Sequence, residues 1–383
     1  MRRAYKYRLF TNRNQERELG IMLESHRRLY NACLEQRKVG YETEKRSVKY
    51  TEQSAWFKAE RVVNPYFARL NFSSAQATMR RLEKAYQNFF RRVKQGEEEV
   101  GYPRFKARDR FDSIEFPAYG DGIRLNENKL RVQQVGLIRA KVHRPTEGVI
   151  KTATLKLEAG KWYLVLSCDL GNPVIRPSQN PAVGIDVGLE HFLTTNEGEH
   201  EPNPRFLKDQ LPELRRCQRS VSRKKKGGKK RRKAVAKVSK LHVRVRNLRR
   251  EHHYQVVNRL IDRYGLFAVE RLNIRGMLRN RRLARAISDV GWYNFRMILA
   301  HKAESAGAVV VEVNPAGTSQ FCSDCGVEVR KDLSERWHWC ECGCSVHRDV
   351  NAARNILLRA LARTEPAGPK ADVSPLVLGS RRL

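Results

Sequence analysis

Three carboxylates and a cluster of thiols are the residues of this 383-residue chain best suited to chemistry. Asp186 sits in Val183-Gly-Ile-Asp186-Val-Gly188, a run of β-branched and small residues where a carboxylate is costly to bury unless a cation or other partner compensates it. Glu270 ends the apolar run Gly265-Leu-Phe-Ala-Val-Glu270, at the strand edge where open α/β sheets place ligands. Asp349 opens a helix-like segment whose Val350, Ala353, Ile356 and Leu357 fall on one face. Each acid alone reads as a surface residue. Three of them at the ends of separate elements flanking one sheet suit a pair of magnesium ions, which activate water and stabilise the leaving oxygen in phosphodiester hydrolysis.

Five of the eight cysteines fall between Cys322 and Cys344. Cys322-Ser-Asp-Cys325-Gly is a zinc knuckle by its two-residue gap and following glycine. The second half, Cys340-Glu-Cys342-Gly-Cys344, is one residue short. The favoured ligand set is Cys322, Cys325, Cys340 and Cys342, because Gly343 then takes the turn position that Gly326 has in the first knuckle. Cys344 competes with Cys342 for the fourth place, and His347 is a distant substitute. Four protein ligands leave no open position, so one zinc ion here is structural. Cys33, Cys168 and Cys217 lie singly and read as packed or surface thiols.

Seventy-six Lys and Arg against forty-one Asp and Glu give a net charge of +35, which makes a polyphosphate the natural partner. A structural RNA-binding protein shares that charge, so charge does not separate binder from enzyme. No run of about 18 apolar residues is present to span a membrane, and the N-terminus lacks the apolar core of a secretory signal. The expected compartment is a reducing cytoplasm, where clustered thiols bind metal rather than form disulfides.

Three segments must position these groups. Residues 3–10 alternate as a strand with Tyr5, Tyr7 and Leu9 on one face. A helix follows with Leu19, Met22, Leu23, Tyr30, Cys33 and Leu34 in its stripe. Ser73 and Ser74 read as the cap of another helix. Met79, Leu82, Tyr86, Phe89, Phe90 and Val93 lie on its apolar face, and Arg80, Arg81, Lys84, Arg91 and Arg92 are left for a phosphate-tracking face. Short alternating runs from 101 to about 170, with a hairpin at Gly160-Lys161, form a small β-barrel or sheet completed by the N-terminal strand, and Pro173, Pro177 and Pro181 mark its boundary. Strands at 183–187, 192–195, 265–270 and 308–313 build the third segment.

Within it, residues 221–250 carry fifteen Lys or Arg and no acid, including Arg223, Lys224, Lys225, Lys226, Lys229, Lys230, Arg231 and Arg232. Self-repulsion is expected to loosen this stretch until nucleic acid neutralises it. A nuclear-localisation reading is weaker, because the tract is long and shares a domain with the acids.

With these residues in place, the chain resembles the transposon-encoded TnpB nucleases, relatives of type V CRISPR effectors. The likeness rests on Gly184-Ile-Asp186-Val-Gly188, Val269-Glu270-Arg-Leu272, Asn280-Arg-Arg-Leu283 with Ser288-Asp-Val-Gly-Trp292, the Cys322 knuckle, and Arg348-Asp349-Val-Asn-Ala-Ala353. Ala85-Tyr-Gln-Asn-Phe-Phe90 and Gly101-Tyr-Pro-Arg-Phe105 extend it.

The resemblance implies an α+β multidomain protein. A wedge β-barrel (1–10 and 101–175) would carry an inserted helical recognition domain (11–100). An RNase H-like RuvC domain (180–315 and 346–362) would hold a basic helical insertion at about 203–262 and a nucleic-acid-binding zinc ribbon at 316–345, and a flexible tail would occupy 363–383. It further implies Asp186, Glu270 and Asp349 as metal-binding catalytic acids, with Gln76, Arg80 and Lys84 placed to meet motif DNA. The implied partners are one guide RNA per protein, from the transposon end (omega, or right-end, RNA), and double-stranded target DNA beside a short protein-read motif. Both strands would be cut by one site. His347 stands where the family usually has an acid before Arg-Asp. A guided repressor without cleavage, an unguided structural RNA-binding protein and a strand-joining transposase are the competing classes. The first would show a lost acid, and all three acids are present.

Overall fold

The computed structural model describes residues 1–172, 174–332 and 334–364. Pro173 of the expected boundary and residues 365–383 of the expected tail lie outside them, while Arg363 and Thr364 close the last helix. The chain divides into two compact units between residues 173 and 174. No helix among the described residues is long and apolar enough to cross a membrane.

The first unit begins with strand β1 (Arg2–Phe10) and helices α1 (Arg13–Glu44), α2 (Tyr50–Val63), α3 (Pro65–Ala68) and α4 (Phe72–Lys94). Strands β2 (Ser113–Phe116), β3 (Ile123–Asn126), β4 (Lys129–Val132), β5 (Gly136–Lys141), β6 (Val149–Glu158) and β7 (Lys161–Asp169) follow. The strands form one antiparallel sheet in the order β2-β6-β7-β1-β5-β4-β3, a nearly closed barrel whose end strands do not pair with each other. β1 sits in the middle, between β7 and β5, so the N-terminal strand completes the sheet as its alternation predicts. Its Tyr5, Tyr7 and Leu9 are buried. The β6–β7 turn falls on Ala159 and Gly160, both with positive φ (47° and 77°), one residue earlier than expected and as a primed turn requires.

Helix α1 starts in a capping box between Asn12 and Gln15. Its Leu19, Leu23, Tyr30, Cys33 and Leu34 are buried, as the periodicity predicts. Helix α4 corrects three expectations. Its cap is Asn71, whose Oδ1 accepts from Ser74 N at 3.0 Å, rather than Ser73 or Ser74. Its apolar face is buried only through Tyr86, and Phe90 and Val93 are exposed beyond it. Arg81 also leaves the basic face: its guanidinium donates to Ser113 O at 3.2 Å and lies 5.3 Å from the Phe111 ring centroid. Helices and sheet share one apolar cluster, in which Leu34, Phe57 and Met79 join Tyr5, Phe116 and Leu166.

The second unit contains β8 (Ala182–Asp186), β9 (His191–Thr195), β10 (His200–Pro202), α5 (Phe206–Ser222), α6 (Lys229–Arg263), β11 (Leu266–Glu270), α7 (Ile274–Met277), α8 (Ala284–Val290), α9 (Trp292–Ser305), β12 (Val309–Val313), β13 (Trp337–Trp339), β14 (Ser345–His347) and α10 (Arg348–Thr364). Five strands form a sheet in the order β10-β9-β8-β11-β12, with β8, β11 and β12 parallel and β9 and β10 antiparallel. The near-continuous apolar runs of β8 and β11 suit strands covered on both faces. Val183, Ile185, Phe267 and Val269 join the α6 and α9 side chains Val257, Leu260, Phe295 and Leu299 in one core, and α10 buries Ile356 and Ala360 against Ala268 and Val313. The basic stretch comprises the turn at 223–228 and the first part of α6. Residues 229–263 form one continuous helix, because Val245, Val256, Val257 and Leu260 give it a buried seam that outweighs repulsion along its exposed face.

Candidate active site and cysteine cluster

Strand register positions the first two acids. β8 and β11 run parallel with Ile185 paired to Val269, so Asp186 and Glu270 close adjacent strands at the same level. Parallel neighbours stand about 4.8 Å apart in the pairing direction. Asp349 arrives from the first turn of α10, which crosses β8 very closely. A Cβ on Gly184 would meet Ala353 O at 2.0 Å and Leu357 Cβ at 2.8 Å. Gly188 gives the turn after β8 its own close approach, since a Cβ there would stand 3.0 Å from His191 O and 4.0 Å from Asp349 Oδ2.

The three carboxylates feel one another. Burial holds the Asp186 carboxyl well above the ordinary range, and the charges of Glu270 and Asp349 push it further, against the Val187 N–H and Arg348. Burial also raises Glu270, opposed by Thr318, whose hydroxyl donates to Glu270 Oε1 at 2.5 Å, and by Arg359. Among the described residues the three acids do not draw three oxygens within 4.8 Å of one another, as the thiols draw their sulfurs. Like charges favour that wider spacing, and hard oxygen donors around a gap suit divalent cations such as magnesium.

The acids have several neighbours, of which the sequence singled out only His347. His347 Nδ1 lies 3.9 Å from Asp349 Oδ2. The ring of His347 gathers with those of His191 and His200 at centroid distances of 6.1 and 5.1 Å. Thr318 was missed because a hydroxyl between two motifs carries no spacing signal. Asn351 and Asn355 were passed over between the apolar positions of α10, yet both are buried. Asn351 Nδ2 donates to Phe321 O at 2.8 Å while its Oδ1 accepts from Ser323 N at 2.9 Å. Asn355 Nδ2 donates to Thr318 O at 2.9 Å and Phe321 O at 2.7 Å. The helix that carries Asp349 thus also anchors the first cysteine knuckle. Arg348 holds the far side through Asp332 O at 2.8 Å.

The sulfurs of Cys322, Cys325, Cys340 and Cys342 all lie within 4.8 Å of one another. The Cys322–Cys342 and Cys325–Cys340 separations are 3.7 and 3.5 Å. Zinc–sulfur bonds of about 2.3 Å in a tetrahedron set sulfurs about 3.8 Å apart, so this donor set fits zinc. Gly326 and Gly343 both take positive φ (77° and 93°) after their knuckles, donating to Cys322 O at 3.0 Å and Cys340 O at 2.9 Å. The shorter second knuckle therefore closes by one residue less. Burial opposes it, but the amides of Cys325 and Asp324 and the His338 imidazole bring the Cys322 thiol down to about 5. Cys342, aided only by the Cys344 amide, is raised to about 12 by the thiols of Cys325 and Cys340. The Cys322 thiolate is prepared, and the raised Cys342 thiol needs a cation to ionise.

The basic candidates divide. Gln76, Arg80 and Lys84 share one side of α4, Gln76 partly buried and the other two exposed. Arg223, Lys225, Lys226, Lys229, Lys230 and Arg232 are exposed. Lys224 and Arg231 instead cap the end of α5: Lys224 Nζ donates to Ser220 O at 2.9 Å and Arg231 Nη1 to Val221 O at 2.7 Å.

Residues 165–281 match the family model OrfB_IS605, described as "Probable transposase". Residues 292–356 match the Cas12f1-like TNB domain, and residues 1–46 match a helix-turn-helix domain model, although in this chain they fold as β1 and the single helix α1. Over 372 residues, covering 94% of this chain and 90% of the relative, the sequence is 33% identical to a Streptomyces pristinaespiralis protein provisionally named an RNA-guided DNA endonuclease. The chain belongs to the TnpB family. A second TnpB relative, InsQ of Escherichia coli K12, carries the same provisional name and is 30% identical over 378 residues, 92% of this chain and 91% of its own. The mini-RNA-guided endonuclease CRISPR-Cas phi3 shares the fold at a TM-score of 0.51 and 11% identity, covering 96% of this TnpB chain and 94% of that structure.

Proposed function

We propose that this protein is an RNA-guided DNA endonuclease that pairs a transposon-derived guide RNA with target DNA and cuts both strands in succession at one site. The observation that carries the reading is the register-locked pair Asp186 and Glu270, joined by Asp349 from a helix that only a glycine admits. Three acids whose mutual repulsion raises Asp186 are a poor arrangement for stability alone and a good one for holding divalent cations. Asp186, Glu270 and Asp349 would hold two magnesium ions, whose chemistry when bound is to activate water and stabilise the leaving 3′ oxygen. Thr318 favours the charged form of Glu270 by donating to it, against the burial that raises it, and Arg348 offsets the charge at Asp186.

In this reading residues 1–10 and 101–175 form the wedge barrel and 11–100 the recognition segment, with Gln76, Arg80 and Lys84 facing motif DNA. Residues 180–315 and 346–362 form the RuvC nuclease, which the strand order and parallel centre of the second sheet support. Residues 316–345 form a zinc ribbon held by Cys322, Cys325, Cys340 and Cys342. Sequence choice lies in RNA–DNA pairing, while the protein contacts the backbone of the heteroduplex through its basic surface.

The test is a cleavage assay with the purified protein–RNA complex, a matched plasmid and magnesium, run beside Asp186→Ala. Cutting by the parent and none by the variant is expected. Equal cutting by both would refute the site, and tight binding without cutting by the parent would favour a guided repressor.

A further inference from the structure

The cysteine cluster contains more donors than one zinc ion can use. Besides the four thiols described above, Cys322, His338 and Cys344 form a second group whose ligand atoms all lie within 4.8 Å of one another. The two groups differ in burial. Cys325 and Cys342 are exposed, whereas Cys322, His338 and Cys344 are 1%, 0% and 6% exposed. His338 comes from the middle of β13 and Cys344 from the residue before β14, so the hairpin pairing Trp339 with Ser345 brings them together beneath Cys322. His338 Nδ1 lies against Lys331 Nζ, and the buried ring stands beside the Cys322 thiol that it helps to ionise. The Asp324 carboxylate accepts a hydrogen bond from the Cys344 thiol.

We propose that Cys322, His338 and Cys344 bind a second thiophilic divalent cation such as zinc, with the Cys322 sulfur shared between this ion and the one held by the four cysteines. Two thiolates and an imidazole are donors that zinc prefers, and Asp324 or water completes the tetrahedron. Five thiolates against two dications leave one net negative charge, beside which Lys331 is the local ammonium. A single ion at the four cysteines would instead leave the Cys344 thiol and the His338 imidazole as buried donors within ligand distance of Cys322 that bind no metal.

The experiment uses the full chain, stripped of metal and reconstituted with excess zinc followed by gel filtration, with zinc per chain measured by mass spectrometry. Two zinc ions are expected in the parent and one in Cys344→Ala and in His338→Phe. Cadmium-113 NMR of the cadmium-loaded parent is expected to give two resonances of different shift, because one ion has four sulfur ligands and the other two sulfurs and a nitrogen. One zinc per parent chain with a single cadmium resonance would overturn the proposal. So would an undiminished count in a folded Cys344→Ala variant, which would place the second ion elsewhere. If either variant fails to fold, the parent's count and cadmium spectrum still decide.

Discussion

Gly184 lies directly beneath the Ala353 carbonyl, so close that a Cβ at 184 would stand 2.0 Å from that oxygen. The contact joins the strand that carries Asp186 to the helix that carries Asp349. Gly184→Ala cannot be relieved by moving a side chain, since its nearest obstacle is backbone. Helix α10 must shift, and a displacement near 1 Å at reacting groups can cost on the order of a hundredfold in rate. We expect Gly184→Ala to lose plasmid cleavage by that order while guide RNA binding, measured by filter retention, stays within about twofold. Adding Leu357→Ala keeps the Cβ that makes the 2.8 Å contact as well as the backbone obstacle, and should not restore cutting.

Thr318 sets the ionisation of Glu270. Its hydroxyl donates to Oε1, favouring the charged carboxylate against the burial that raises it. Thr318→Val removes the donor at nearly constant shape, so Glu270 should protonate at higher pH than in the parent. The acid limb of the pH–rate profile for cleavage should therefore move up, with the plateau at high pH changed less. An acid limb that stays in place would show that Glu270 ionisation does not control that limb.

What could be read before the structure follows a physical divide. Period-two and 3.6-residue patterns report burial along one element, and they located β1, the face of α1 and the apolar strands ending in Asp186 and Glu270. They are silent on polar residues whose partners lie far along the chain. Asn355 falls on the buried side of α10 because Thr318 O and Phe321 O, some thirty residues earlier, meet it there. Arg81 was assigned to a solvent face by spacing, yet Ser113 O and the Phe111 ring draw it inward. In the basic tract, counting charges likewise said nothing of Ala234 and Val245, which α6 buries.

His26 should make stability of the first unit depend on pH. It is fully buried between α1 and α4, with Nδ1 2.8 Å from Thr78 Oγ1 and Nε2 3.3 Å from Ser74 Oγ. Burial, and then Arg81, hold its pKa down at about 3 against 6.5 in the unfolded chain. Between those values the unfolded state binds a proton that the folded state refuses, so stability rises with pH through that window and is lost as pH falls from about 6.5 toward 3. At about 1.4 kcal/mol per pKa unit the full effect is on the order of 5 kcal/mol. His26→Gln does not titrate, and denaturant midpoints from pH 7 to 4 should show a shallower acid loss than the parent. Parallel curves would rule the residue out as the source.

The basic turn between α5 and α6 separates phosphate binding from helix capping. Lys224 donates to Ser220 O and Oγ at 2.9 and 2.7 Å, and Arg231 donates to Val221 O at 2.7 Å, so both complete the end of α5. Lys225, Lys229 and Arg232 are exposed. Each cation that neutralises a phosphate contributes about 0.7 to the slope of log affinity against log salt for single strands. Replacing Lys225, Lys229 and Arg232 together with alanine should reduce that slope for guide RNA by up to about 2 while leaving the helical circular dichroism intact. Lys224→Ala should do the reverse, holding the slope and lowering thermal stability, because the cation it removes serves a helix end. If both variants change the slope per residue alike, the capping contacts yield to RNA and the division fails.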